Sequence, residues 1–380
     1  MLFSRTHKDS MHKRLLFCLL AFCIGAGMAI DAKPKNKHKK HTAPNSTKKV
    51  AKKTKKRKKR PKQAVAASYT NAPSSVKIDG HTIELTNQDK VYFPKSCIAK
   101  GELIAYYKAI APFMLPYTKN RAISMQRFPD GITKEGFFQK NASDYFPDWI
   151  TTIPIKNHGD STVKYVVIND KATLVYLANQ GNITPHTWLS KTDKIDYPDR
   201  IIFDLDPAGN ASFKDVQWAA SALKTFLEDT LNLPTFVMLT GSRGAHVIVP
   251  LKPKQTFDEV RTFALDCAQV LTEQSPNKVT VAMNKSDRGN KIFIDWLRNG
   301  FGATGVTPYA VRAKEGAPVA TPLTWNDFLH ATSSQQYTIR TIFAYLDTHS
   351  NPWENLKKQA VSLTKARKKL DTILSAIKKP

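Results

Sequence analysis

Disulfides and zinc sites are the first things this sequence leaves out. Its 380 residues include four cysteines. Cys18 and Cys23 lie in an apolar run near the N-terminus, and Cys97 and Cys267 stand far apart without a CxxC partner. That spacing indicates neither a disulfide framework nor a structural zinc centre. Acidic side chains are also scarce, 31 against 58 Lys and Arg, and none falls between Lys33 and Gln63. The N-terminal apolar run, Leu15 to Ile30, has sixteen residues, short of the about 20 that a membrane-spanning helix needs. No internal repeat is present, so solenoids and propellers are excluded.

The formal charge is +27, and its distribution matters more than its size. Sixteen of these charges fall in residues 33–63, two in 1–32, and the remaining nine are spread over 64–380. A mildly basic body therefore follows a very basic arm. The arm includes KKTKKRKKR at 52–60 and has almost no large apolar side chain to bury, so the entropy of ordering it is uncompensated and it reads as disordered. On DNA it would add salt-dependent, sequence-independent affinity; on anionic lipid or a cell-wall polymer the same charges would act as a tether.

His12, Lys13 and Arg14 precede the apolar run, and small residues around Gly27 and Ala29 follow it. This pattern reads as a secretory signal peptide, with Met11 available as the start. Two locations stay open: export or membrane tethering by this segment, or a start at Met28 that leaves a cytoplasmic, nucleoid-associated protein with a basic tail.

Beyond a linker ending at Ser75, mixed periodic segments with 41% apolar content overall can build a substantial core. KIDGHTIELT at 77–86 alternates like a hairpin, and Lys100–Tyr117 has helical spacing. Short strands are expected at AISMQRF, GFFQK, KYVVI, RIIFDLD, TFVML, HVIVP and KIFIDWL, with helices over about 213–231 and 257–272. An amphipathic helix is expected from Trp353 through Ile373. Strands and helices interleave without strict βαβ order, which implies an α+β fold with a mixed or antiparallel sheet flanked by helices. The expected division is 1–32 signal-like segment, 33–75 arm and linker, 76–356 catalytic domain, and 357–380 terminal helix.

In RIIFDLDP, Asp204 and Asp206 lie two residues apart on a strand and so point to one face. Two such carboxylates repel unless a divalent cation lies between them. Asp295, inside the apolar strand KIFIDWLRN, is costly to bury unless it is paired; it reads as a third metal carboxylate or as a partner of Arg298. TGSRGAH at 240–246 offers close backbone amides, Arg243 and His246 to a phosphate. Together these segments supply the parts of two-metal phosphoryl transfer.

At this point the chain resembles the polymerase domain of bacterial DNA ligase D, of the archaeo-eukaryotic primase superfamily. The resemblance runs from about Val76 to Leu356. It rests on TNQDKVYFP, KGELIAYY, FPDGI, EGFFQKN, TPHTWLS, FDLDP, GSRGAHVIVP, KIFIDWLRN and GVTPYAVRAK, in that order. The resemblance implies a primase-like core that adds NTPs or dNTPs, with ribonucleotides preferred, to DNA ends or gapped duplex in non-homologous end joining. Asp204, Asp206 and Asp295 would bind two Mn²⁺ or Mg²⁺ ions, one activating the primer 3′-hydroxyl and the other neutralising pyrophosphate. His186, Thr240, Arg243, His246, Arg288 and Arg312 would surround the incoming nucleotide. Asn87, Lys90 and Lys100 would grip a DNA 5′-phosphate, and Phe137 or Phe138 would stack on a template base. A Ku-like end binder and a separate ligase are implied partners.

Three positions depart from the family pattern: its lysine and serine before the glycine loop appear as Met238 and Thr240, and its loop lysine as Arg243. KIDG at 77–80 also matches the nucleotide-attaching motif of DNA ligases, but by three fixed letters in a chain with no room for a ligase core, so Lys77 reads as part of a surface hairpin. Two other classes compete: a non-catalytic DNA-end or envelope-polyanion binder that retains the fold, and a metal-dependent phosphoesterase. The second is disfavoured because its usual clustered His and Asp ligands are missing.

Overall fold

The computed structural model describes residues 73–156 and 161–377. The signal-like segment and the basic arm lie outside the described residues. Among these residues no helix is long and apolar enough to cross a membrane.

The chain begins with two hairpins, β1 (Ser75–Ile78) with β2 (His81–Glu84), and β3 (Val91–Phe93) with β4 (Ile98–Ala99). The turn of the first is Asp79–Gly80, both at positive φ. Asp79 also accepts hydrogen bonds from the backbone N–H groups of Lys171 and Ala172, at 3.0 and 3.2 Å. KIDG is thus a turn that caps a neighbouring helix, which accounts for the motif without ligase chemistry.

Helix α1 (Lys100–Thr118) follows, then β5 (Ala122–Arg127), β6 (Phe137–Gln139), β7 (Thr152–Lys156), β8 (Thr162–Val167), α2 (Lys171–Asn179) and β9 (Asn182–Trp188). Next come β10 (Arg200–Pro207), α3 (Phe213–Thr225), β11 (Phe236–Leu239), β12 (Ala245–Pro250), α4 (Phe257–Gln274), β13 (Val279–Thr280), β14 (Ile292–Asp295) and β15 (Thr304–Val306). The described chain closes with β16 (Thr321–Leu323), α5 (Trp325–His330), α6 (Ile342–Leu346) and α7 (Thr364–Ile377). Capping boxes start two helices: Ser212 with Asp215 at α3, and Thr256 with Glu259 at α4. The helix expected over 213–231 ends in a π-helical turn, Phe226–Thr230.

Two sheets result. One runs β13-β14-β10-β12-β11-β16, antiparallel except for the parallel β13–β14 pair. The other runs β15-β9-β5-β8-β7, with β6 also on β5. The fold is α+β as expected, with two sheets. Side chains alternate along β10. Phe203 and Leu205 turn to the face covered by α3 and α4, where Val216, Leu223, Val260 and Phe263 are buried. Ile202, Asp204 and Asp206 take the other face, toward the second sheet. There Gly305 of β15 lies so close that a Cβ would meet Ile202 Cδ1 at 2.7 Å.

The terminal segment corrects one expectation. Residues 353–362 are not helical: Val361 bridges Leu251 in parallel, and α7 begins only at Thr364. Trp353 and Leu356 are buried as anchors of an irregular strap, with the Trp353 Nε1–H donating to Val237 O at 3.2 Å.

Candidate active site

The site lies on the adjacent strands β14, β10 and β12 of the first sheet. The antiparallel register sets Asp204 opposite His246 on one side and opposite Asp295 on the other, with Asp206 opposite Phe293. Cross-strand partners share a face, so the three aspartates and His246 converge between the sheets. Met238 pairs with His246 and extends the row with a buried apolar side chain.

Arg298, in the turn after β14, spans two of the acids. Its Nη2 lies 3.1 Å from Asp204 Oδ2 and 3.0 Å from Asp295 Oδ2. Asp295 thus pairs with Arg298 and also shares a face with the other two aspartates. Among the described residues Asp206 has no ion pair.

The electrostatics follow from this arrangement. Burial disfavours the Asp204 anion, but His246, Arg298 and Arg312 outweigh it and hold the carboxyl well below its ordinary range. Burial and the neighbouring Asp204 push Asp206 up to about 6. Asp295 is raised as well, chiefly by burial, with Arg298 opposing. Burial and the nearby Arg312 and Arg298 pull His186 down to about 3, so it is neutral at physiological pH.

Oxygen-rich, acidic and short of one counter-cation, this face fits a hard divalent ion. The buried Nδ1 of His246, Nε2 of His186 and Nε of Arg298 lack hydrogen-bond partners among the described residues, as groups awaiting a polar ligand do. Among the described residues no three His, Cys, Asp or Glu side chains close on one point as a finished metal cage.

The other sequence candidates divide by placement. His186 of β9 faces this cleft from the second sheet, and the Phe138 ring packs edge-on against it at 5.5 Å. Phe137 lies beside Arg127 at 5.6 Å, so of the two exposed phenyl rings Phe138 is the one touching His186. Arg312 donates to Thr240 O at 2.6 Å. The Thr240 hydroxyl is turned inward, donating to Gly244 O at 3.0 Å, while Arg243 is tied to Pro207 O. Arg288 donates to Ala282 O and Met283 O and stacks on Phe293 at 3.5 Å, beside Asp206. Gly244 admits no side chain: a Cβ there would meet Leu205 O at 1.9 Å, between the two aspartates of β10.

Asn87, Lys90 and Lys100 come together in a separate loop at the start of α1. Lys90 N–H donates to Asn87 O at 3.1 Å, and Lys100 N–H to Lys90 O at 2.8 Å. The Lys100 ammonium is buried on Thr86 O and Oγ1, at 2.6 and 3.0 Å, and Lys90 pairs with Asp130. Burial and the proximity of Lys90 pull Lys100 down to about 8.

Sequence reasoning missed Asn299. Its amide accepts from Ile202 N–H and donates to Ile202 O, both at 2.8 Å, replacing a strand where β14 has ended. Its only signal was a polar residue closing an apolar run.

The model of the LigD primase-polymerase domain matches residues 99–353. The multifunctional non-homologous end joining protein LigD of Mycolicibacterium smegmatis is 32% identical over 247 residues, 64% of this chain and 32% of that protein. The bifunctional non-homologous end joining protein LigD of Bacillus subtilis is 31% identical over 272 residues, 71% of this chain and 43% of its own length. This chain thus spans less than half of either relative. The solved polymerase domain of Mycobacterium tuberculosis ligase D in complex with DNA aligns with a TM-score of 0.68 at 27% identity, covering 73% of this chain and 99% of that one. The chain belongs to the LigD primase-polymerase domain family.

Proposed function

We propose that this protein adds nucleotides to DNA ends or gaps by two-metal phosphoryl transfer, as a polymerase of the end-joining type. The observation that carries this reading is the register that sets Asp204 opposite Asp295 with Asp206 on the same face. Asp204, Asp206 and Asp295 would hold two Mn²⁺ or Mg²⁺ ions. Bound there, the ions would activate the primer 3′-hydroxyl and offset the charge of the departing pyrophosphate.

The remaining work falls to side chains of this chain. Asp204 is kept ionised by its cationic neighbours, so it presents a full negative charge at neutral pH. Arg312, with Arg243 and Arg288, would supply counter-charges for a triphosphate. His186, neutral and with an unpartnered Nε2, is suited to a directional hydrogen bond to the sugar or a phosphate rather than to a charge contact. Phe138, exposed beside His186, offers a stacking platform to a templating base. Asn87, Lys90 and Lys100 would engage a 5′-phosphate across the gap, after Lys90 leaves Asp130. A Ku-like end binder and a ligase activity would complete joining.

The deciding experiment is extension of a gapped, 5′-phosphorylated duplex by the full chain with Mn²⁺, alongside Asp206→Ala. Incorporation that the variant loses is expected. DNA binding without incorporation favours the competing reading, a non-catalytic end binder, which the inward-turned Thr240 hydroxyl and the Arg298 clamp would suit.

A further inference from the structure

A second cleft, of about 310 Å³, opens at the other end of β10. Arg200 and Asp204 are four residues apart, so the cleft lies roughly 13 Å behind the aspartates. Five cations line it, Arg121, Lys191, Lys194, Arg200 and Lys357, against two acids, Asp193 and Asp199. Asp199 is already consumed: Arg121 pairs with it, and Arg200 Nε donates to it at 3.1 Å. The two arginines are buried and fixed there, while Lys191 and Lys357 at the rim make no ion pair among the described residues. Positive charge is therefore concentrated over a wall that is in part apolar, with Leu251 and Leu356 buried and the Tyr197 ring exposed at the edge.

Leu356, Lys357 and Ala360 belong to the strap that follows the matched range 99–353. One side of the cleft is thus supplied by residues beyond the matched range. The strap is held in place by the parallel bridge of Val361 to Leu251 and by buried Trp353, so the wall is built rather than incidental.

We propose that this cleft is a second ligand site, separate from the aspartates, for a compact phosphate monoester of the nucleoside monophosphate kind. The phosphate would lie between Lys191 and Lys357 over the fixed guanidinium of Arg200, with the organic body on Leu251, Leu356 and Tyr197. A rigid arginine floor with mobile lysines at the rim suits a dianion whose charge must be met from several directions. The volume is at the small end of ligand pockets, about 300–1,000 Å³, which fits one nucleotide unit and leaves no space for a duplex.

The test is calorimetric titration of the full chain in EDTA with AMP, inorganic phosphate and adenosine. It is repeated on Lys191→Glu/Lys357→Glu and, as a control for the aspartate cleft, on Arg312→Ala. AMP should bind more tightly than phosphate, and adenosine should not bind measurably. The double variant should weaken AMP roughly tenfold or more, a loss of about 1.4 kcal/mol per decade, while Arg312→Ala leaves it unchanged. Both lysines are partly or fully exposed, so the fold should survive; Lys357→Arg, which keeps the charge, should keep binding. Binding of AMP that survives the double charge reversal, is lost with Arg312→Ala, or is matched by adenosine overturns the proposal, as does no binding of AMP to the wild-type chain.

Discussion

Replacing Arg298 by methionine removes a cation that spans Asp204 and Asp295 while keeping most of the side-chain volume. At an effective dielectric constant of about 20, a unit charge pair at 3 Å attracts by roughly 5 kcal/mol, and this guanidinium makes two such contacts, at 3.0 and 3.1 Å. Desolvation cancels much of that attraction. Breaking a buried pair nevertheless costs about 3–5 kcal/mol, because the partner charge is left uncompensated. The Arg298 side chain is 33% exposed, which places the expected loss at the lower end, about 3 kcal/mol. For a domain of this size that is a fall in metal-free Tm of roughly 6 °C. Mn²⁺ should then stabilise the variant more than the wild type, since no guanidinium competes for the same oxygens. Thermal unfolding of both proteins in EDTA and across a Mn²⁺ titration reads both effects. An unchanged metal-free Tm, or equal Mn²⁺ shifts in the two proteins, would refute the view that Arg298 stands in for a cation at these carboxylates.

Asp206→Asn should abolish primer extension, by at least about a hundredfold, yet raise the metal-free Tm, because burial and Asp204 make the native carboxylate costly. A loss of both activity and stability would count against that account. Lys100, lowered to about 8 by burial and Lys90, is charged below that pH and neutral above it. Preference for a 5′-phosphorylated over a 5′-hydroxyl gap should therefore fall as pH rises through about 8. The linked stability runs the other way: the unfolded lysine still holds its proton between about 8 and 10.5, so this group's contribution to stability rises with pH over that window. Lys100→Arg should remove both trends. Gly244→Ala, which forces a Cβ onto Leu205 O, should cost about 1–3 kcal/mol in urea unfolding and depress extension without touching a carboxylate. Phe138→Ala should weaken binding of a templated end by about 1–3 kcal/mol and leave Tm unchanged, since the ring is 59% exposed.

Much of the site could be read in the sequence because strand periodicity fixes side-chain direction. DLD on an apolar strand has to place its two carboxylates together, and the strand IFID had to carry Asp295 beside apolar partners. β9 was harder to read. NITPHTW holds Pro185, which argues against an interior strand, yet β9 is central to its sheet. The proline is accommodated because β15 pairs only as far as His186, so no ladder N–H is needed on that side. The terminal strap was mistaken for helix because its buried residues, Trp353 and Leu356, have helical spacing although the backbone bridges to Leu251. The inward turn of the Thr240 hydroxyl, and the reach of Arg298 to Asp204 as well as Asp295, depend on tertiary contacts that local pattern cannot encode.

The alternation along β10 has an evolutionary corollary. Asp204 and Asp206 face the cleft while Phe203 and Leu205 face the packed interior, so one string of eight residues carries two interleaved messages. Point changes can edit either message alone. A single inserted or deleted codon within the strand would exchange them, sending Asp204 and Asp206 beneath α3 and α4 and presenting phenylalanine and leucine to the substrate. Length variation among relatives should accordingly collect in the connecting segments, with the strands themselves evolving by substitution alone.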